Sequence, residues 1–250
     1  MTDAALSIED YLARGGKLTS PANAPARYRA EVLRIMATFV DSELAGAAGF
    51  ADAINDGPGI GARIAAARIV MEKTQHAERV LGLMGEFGAD TLRYEASHPW
   101  RARLPREAGV GAERAAEDLR LPALQFPLAG WSDAVVMNLL MGHAVTVQLD
   151  DLARCSYQPL AAAIVEIAPA EARHTELAEA GLRALSGHSG LQASVDYWWP
   201  RIAAGFGDPS AERAAMLEAL GLRRVFGAAQ HSDWAARLGP VLADLGLRAP

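Results

Sequence analysis

Residues 160–185 read LAAAIVEIAPAEARHTELAEAGLRAL, and the spacing of their apolar side chains decides the fold class. Leu160, Ile164, Ile167, Glu171, His174, Ala178, Leu182 and Leu185 recur at intervals of three and four, which puts them on one stripe of an α-helix. Six of these eight residues are apolar. The other two, a carboxylate and an imidazole, stand in the middle of the face that should be buried. A buried carboxylate without a partner is costly, so something must satisfy it. One reading is a hydrogen-bonded Glu and His in an ordinary core. The other is a Glu-x-x-His pair of the kind that supplies ligands to carboxylate-bridged metal sites in helical bundles. Pro169 removes a backbone donor inside this helix and predicts a kink one turn before Glu171.

Working outward, the same periodicity predicts three more long helices. Residues 26–54 carry the stripe Met36, Val40, Glu43, Ala47, Phe50, Ile54, again with one acid in an apolar row. NDGPGIG at 55–61 breaks it. Residues 62–87 carry Ile69, His76, Val80, Leu83 and Phe87. Glu72 lies about 40° around that helix from His76 and Lys73 about 60°, so either suits the same face. Residues 131–154 are apolar nearly all round, which predicts the most buried helix, with Gly142 and His143 at its midpoint. Two shorter helices are expected at about 210–226 and 230–246, the first capped by Asp208 with Pro209 at its first position.

Between the second and third helices, residues 89–127 hold four prolines and weak periodicity, which predicts a long connection with one or two short helices. Arg101, Arg103 and Arg106 cluster there. A solvated loop is the plain reading, and a grip on the phosphates of a substrate is the sharper one. Residues 1–25 are expected as a flexible N-terminal segment, with a short amphipathic piece at 8–12, and residues 26–250 as a single helical domain.

Composition narrows the functional classes. The chain has 250 residues, 51% hydrophobic, 22% charged and 6% aromatic, which suits long, closely packed helices. A net charge of -6 disfavours nucleic-acid binding. The single cysteine, Cys155, excludes an internal disulfide and points to a reducing compartment. The first residues lack the apolar segment of a signal peptide, and no run is long and apolar enough to span a membrane. A cytoplasmic protein is the expectation.

In chain order the four long helices carry Glu43; Glu72 or Lys73 with His76; Gly142 with His143; and Glu171 with His174. That order parallels the ligand order of a ferritin-like carboxylate site, and the fold class expected is an all-α, ferritin-like four-helix bundle with additional short C-terminal helices. The chain also resembles the phenylacetic acid catabolic protein family, which includes the catalytic subunit of ring-1,2-phenylacetyl-CoA epoxidase. The resemblance rests on SEL at 42–44, KTQHAE at 73–78, WSD at 131–133, RCSYQPL at 154–160, EARH at 171–174 and YWWPRIAAGFGDP at 197–209. It extends from about Tyr28 to Leu247.

The resemblance implies a di-iron bundle that activates O2 and oxygenates the aromatic ring of an acyl-CoA, working with a related helical subunit and a separate reductase. It therefore implies iron as cofactor, an aromatic acyl-CoA-like small molecule as substrate, and a homo- or hetero-oligomer. Glu43, His76, Glu171 and His174 match metal-ligand positions of the family. Two positions depart. Lys73, with Glu72 beside it, stands where the second helix should carry an acid, and Gly142, with His143 beside it, where the third should. The four positive charges of two ferrous ions call for four carboxylates in a low-dielectric core. Glu43, Glu72 and Glu171 make three, and Lys73 adds a positive charge. Two expectations follow. One is an altered iron oxygenase with Glu43, Glu72, His76, Glu171, His174 and His143 as ligands. The other is a metal-free, non-catalytic structural or partner-binding member in which Lys73 pairs with Glu43 or Glu171.

Overall fold

A computed structural model of the chain describes residues 7–22, 24–115 and 117–250. Among these residues the structure is all-α, a ferritin-like bundle with no strand. The four long helices are α2 (Ala26–Ala53), α3 (Ile60–Glu86), α5 (Trp131–Leu152) and α6 (Gln158–Ala184), with α1 (Ile8–Ala13) before them and α4 (Thr91–Ser97) in the long connection. Three further helices follow, α7 (Leu191–Ala203), α8 (Ala211–Ala219) and α9 (Gly227–Asp244).

The stripes predicted from periodicity are the buried faces. All eight stripe residues of α6 are buried, Glu171 and His174 among them at 2% and 1% exposure. On α2, Met36, Val40, Glu43, Ala47 and Phe50 are buried and Ile54 is half-buried. α2 packs along α3 and α5 along α6, and α3 closes the bundle against α6. Cross-helix pairs Arg79–Glu166 and Arg173–Glu72 show that α3 and α6 run antiparallel. α6 runs through Pro169 as one helix. Val165, whose carbonyl loses its helical donor there, is solvent-exposed, so water can take the donor's place.

α7 and α9 pack on α5, the most apolar helix, and extend the core at that end. Trp198 and Trp234 are fully buried, and each indole N–H finds an acceptor: Asp133 at 3.0 Å and the Leu140 carbonyl at 2.9 Å. Asp133, 2% exposed, is the hub of this junction. It accepts two bonds from Arg106 at 2.8 and 2.9 Å, one from Ser194 at 2.8 Å, and the Ala129 N–H at 2.8 Å.

Two expectations need correction. The N-terminal segment, as far as residues 7–22 show it, is docked, not loose. Leu12 is buried at 2%, Leu18 bridges to the chain around Tyr157, and Lys17 donates to the Arg154 and Cys155 carbonyls at 2.8 and 2.7 Å. Those carbonyls follow the C-terminus of α5, where a cation is favoured. Residues 1–6 lie outside the described residues. The cap of α8 is Ser210, which accepts the Arg213 N–H at 3.3 Å, and not Asp208. The helix starts two residues later than Pro209 suggested.

Removing Asp133 strands the Arg106 guanidinium and three further donors, from Ala129, Ser194 and Trp198. Asp133→Ala is expected to cost about 3–5 kcal/mol of unfolding free energy in urea titration, the range for breaking a buried ion pair from one side.

Candidate functional site

Glu43 comes from α2, Lys73 and His76 from α3, and Glu171 and His174 from α6. Each sits at mid-height on a buried stripe, so folding of the stripes is enough to bring them together. The Lys73 ammonium lies at the centre. It donates to Glu43 Oε1 at 2.9 Å and to Glu171 Oε2 and Oε1 at 2.9 and 3.1 Å. Nδ1 of His76 faces Glu43 Oε2 at 3.1 Å and Glu171 Oε1 at 3.0 Å. A second pair flanks the first. His174 Nε2 is 2.7 Å from Glu72 Oε2, and its Nδ1 faces Glu171 Oε1 at 3.3 Å without the alignment of a hydrogen bond.

Burial alone would drive the Lys73 ammonium towards its neutral form, but the charges of Glu171 and then Glu43 outweigh it and hold the lysine protonated. Burial likewise opposes charge on His76, yet its bonds to Glu171 and Glu43 raise its pKa to about 9. Burial would raise Glu171, whereas Lys73, His174 and His76 hold it well below the usual carboxylate range. At neutral pH the Lys73 ammonium, the His76 imidazolium and the Glu171 carboxylate therefore meet as charged groups beside Glu43.

The expected ligands are thus partly gathered. The ligand atoms of Glu43, His76 and Glu171 lie within 4.8 Å of one another, a grouping compatible with a metal ion. The Lys73 ammonium is bonded to both carboxylates of that group. Glu72 reaches the flank through His174 and also faces Arg173 at 3.6 Å. His143 does not join: burial holds its pKa below the usual imidazole value, and its Nε2 has no partner among the described residues. One residue of helical advance from Gly142 turns it about 100° away from the centre.

Gly142 does face the centre, and its lack of a side chain has a steric reason. A Cβ there would fall inside contact distance of Thr175 Oγ1 and 3.1 Å from Thr175 Cβ. α5 and α6 have closed over the place that an acid from α5 would need. The donor set as it stands does not fit a pair of irons: α5 supplies no acid, a side chain at 142 would first have to displace Thr175, and a cation already bonds Glu43 and Glu171. Beside Lys73 remains a hollow of about 30 Å³, lined by Gly46, Phe50, Met137, Asn138 and Gly142, about enough for one or two waters and too small for an aromatic ring. A larger groove of about 370 Å³ between α2, α5 and α8 reaches Ser42 and Glu43 from outside.

The arginine cluster is used internally. Arg106 is held by Asp133, Arg103 donates to the Ala45 carbonyl at 2.6 Å, and Arg101 pairs with Asp52 on the surface at 3.2 Å. None of them lines the groove beside Ser42 and Glu43, and only Arg101 borders another cavity, a hollow of about 790 Å³ on the outer side of α2 and α3. Thr175 and Asn138, which bonds the His174 carbonyl at 3.2 Å, were not singled out from sequence. Thr175 was legible only as the neighbour of His174.

Two outcomes test this electrostatic account. Lys73→Met leaves two carboxylates buried at one point and is expected to cost about 3–5 kcal/mol in chemical denaturation. The folded pKa of His76, about 9, lies above its unfolded value of roughly 6.5, so its contribution is complete below that pH and fades as pH rises through 9. Glu171 acts with opposite sign, its share being lost as pH falls below roughly 4.5. Denaturation midpoints measured from pH 5 to 10 should fall on the alkaline side, and His76→Gln should flatten that limb.

A sequence model of the family described as Phenylacetic acid catabolic protein matches residues 17–250, nearly the whole chain. No curated protein matches it. The chain belongs to that family. Among the described residues, no helix is long and apolar enough to cross a membrane.

Proposed function

We propose that this member of the phenylacetic acid catabolic protein family is a metal-free, non-catalytic subunit, structural or partner-binding in role. One observation carries the reading: the Lys73 ammonium lies 2.9 Å from both Glu43 and Glu171, the acids a metal would need. The packing of Thr175 against Gly142 supports it, because a side chain at the remaining acid position would first have to displace Thr175. The chain then keeps the ancestral bundle and replaces coordination bonds by charge-assisted hydrogen bonds, which tie α2, α3 and α6 at one point. Its work would lie on its surface, beside a related helical subunit.

A second reading retains one observation, the convergence of Glu43, His76 and Glu171. An iron held there, with Glu72 and His174 alongside, would supply oxygen chemistry on an aromatic acyl-CoA-like substrate, fed by a separate reductase. That requires Lys73 to leave both carboxylates, and the hollow beside it leaves the aromatic ring no room.

Metal analysis separates the two. Protein purified from iron-supplemented cells is expected to carry well below one equivalent of iron per chain. Stoichiometric iron, with an anomalous peak at the Lys73 ammonium position, would overturn the metal-free reading and favour the oxygenase.

A further inference from the structure

α3 presents an apolar stripe to solvent on the side away from the ion cluster. Ile60, Ile64 and Met71 are 79%, 55% and 54% exposed, and their spacing of four and seven puts them on one line with Ala67, Thr74 and Glu78. A β-branched or large apolar side chain gains nothing from water, and a row of them on one helix marks an interaction face. Beside the line, two contiguous hollows of about 790 and 660 Å³ lie between α2 and α3. Leu44, Thr74 and Trp100 line both.

We propose that this face is where two copies of the chain pack, α3 against α3 antiparallel about a two-fold axis near position 73. The argument is self-complementarity. Arg68 and Glu78 are exposed on this face, and among the described residues neither has a side-chain partner. Ten residues apart, they stand roughly 15 Å from each other along the helix and cannot meet within one chain. An axis midway between them sets Arg68 against Glu78 of the partner subunit, and the reverse pair forms by symmetry.

The same axis places Ile64 opposite Gly82 of the partner subunit. Gly82 lies inside α3, where glycine costs about 1 kcal/mol relative to alanine, and a Cβ at that site would meet nothing in its own chain. The monomer thus gives no reason for it, whereas an approaching isoleucine does. The axis also brings Met71 over Thr74 and Gln75 of the partner subunit, at the mouth of the hollows. An unbranched thioether is well suited to fill such an irregular space. Charge, shape and apolar line therefore agree on one register. The proposal does not depend on whether the ion cluster binds metal.

Sedimentation equilibrium of the full-length chain tests it. A dimer is expected at micromolar concentration. Arg68→Glu and Glu78→Arg should each raise the dimer dissociation constant at least tenfold, while the double exchange R68E/E78R should restore it. Neither residue touches the ion cluster, and far-UV circular dichroism should be unchanged in all three. Met71→Arg should give a monomer of normal helicity. A chain that is monomeric throughout, which is also the outcome if this face serves a different subunit, overturns the proposal. So does a dimer indifferent to Arg68→Glu, or one that the double exchange fails to recover.

Discussion

A protonated lysine buried between two carboxylates is the constraint on which the centre of this bundle depends. Three helices each contribute at least one charged group to it: Glu43 from α2, Lys73 and His76 from α3, Glu171 from α6. Desolvation opposes the charges of Lys73, His76 and Glu171 singly, and the attraction of their neighbours keeps them ionised. The cluster is therefore all-or-none. Loss of any member leaves an uncompensated charge in an apolar core.

α5 stands outside this network, and its packing shows it. Where the other three helices meet through charged side chains, α5 meets α6 by close approach, with Gly142 against Thr175. Its length is held by apolar contact and by the tryptophans of α7 and α9, whose N–H groups are satisfied by Asp133 and the Leu140 carbonyl. Direct contact has taken the place of a ligand. The bundle is thus held by ions on three helices and by shape on the fourth.

The helices and their inward faces were legible because burial follows the 3.6-residue period, and Glu43, Glu171 and His174 could be placed by that period alone. Lys73 and Glu72 could not be separated by angle, since both lie within reach of the His76 face. The structure uses both, Lys73 at the centre and Glu72 on the flank with His174. His143 was misplaced because adjacency in sequence is a turn of about 100° in a helix. The arginine cluster was opaque for a different reason. Its partners, the Ala45 carbonyl and Asp133, are brought to it by long-range packing that no local pattern encodes. The docking of Lys17 and Leu18 against the start of α6 was hidden in the same way.

The exchange of an acid for Lys73 is a larger step than the loss of one ligand. It replaces a negative charge by a positive one at the place where a metal would bring two more. At about 4 Å and an effective dielectric near 20, a dication beside an ammonium is opposed by roughly 8 kcal/mol. Moving the ammonium away instead gives up its bonds to Glu43 and Glu171 and needs space for the displaced side chain. The adjoining hollow, about 30 Å³, does not offer it. The lysine stem passes Gly46 of α2, where a methyl group would make only ordinary contact with Lys73 Cδ at 3.4 Å. Metal and lysine are therefore alternatives for one position, and the lysine is the one whose bonds to Glu43 and Glu171 the structure contains.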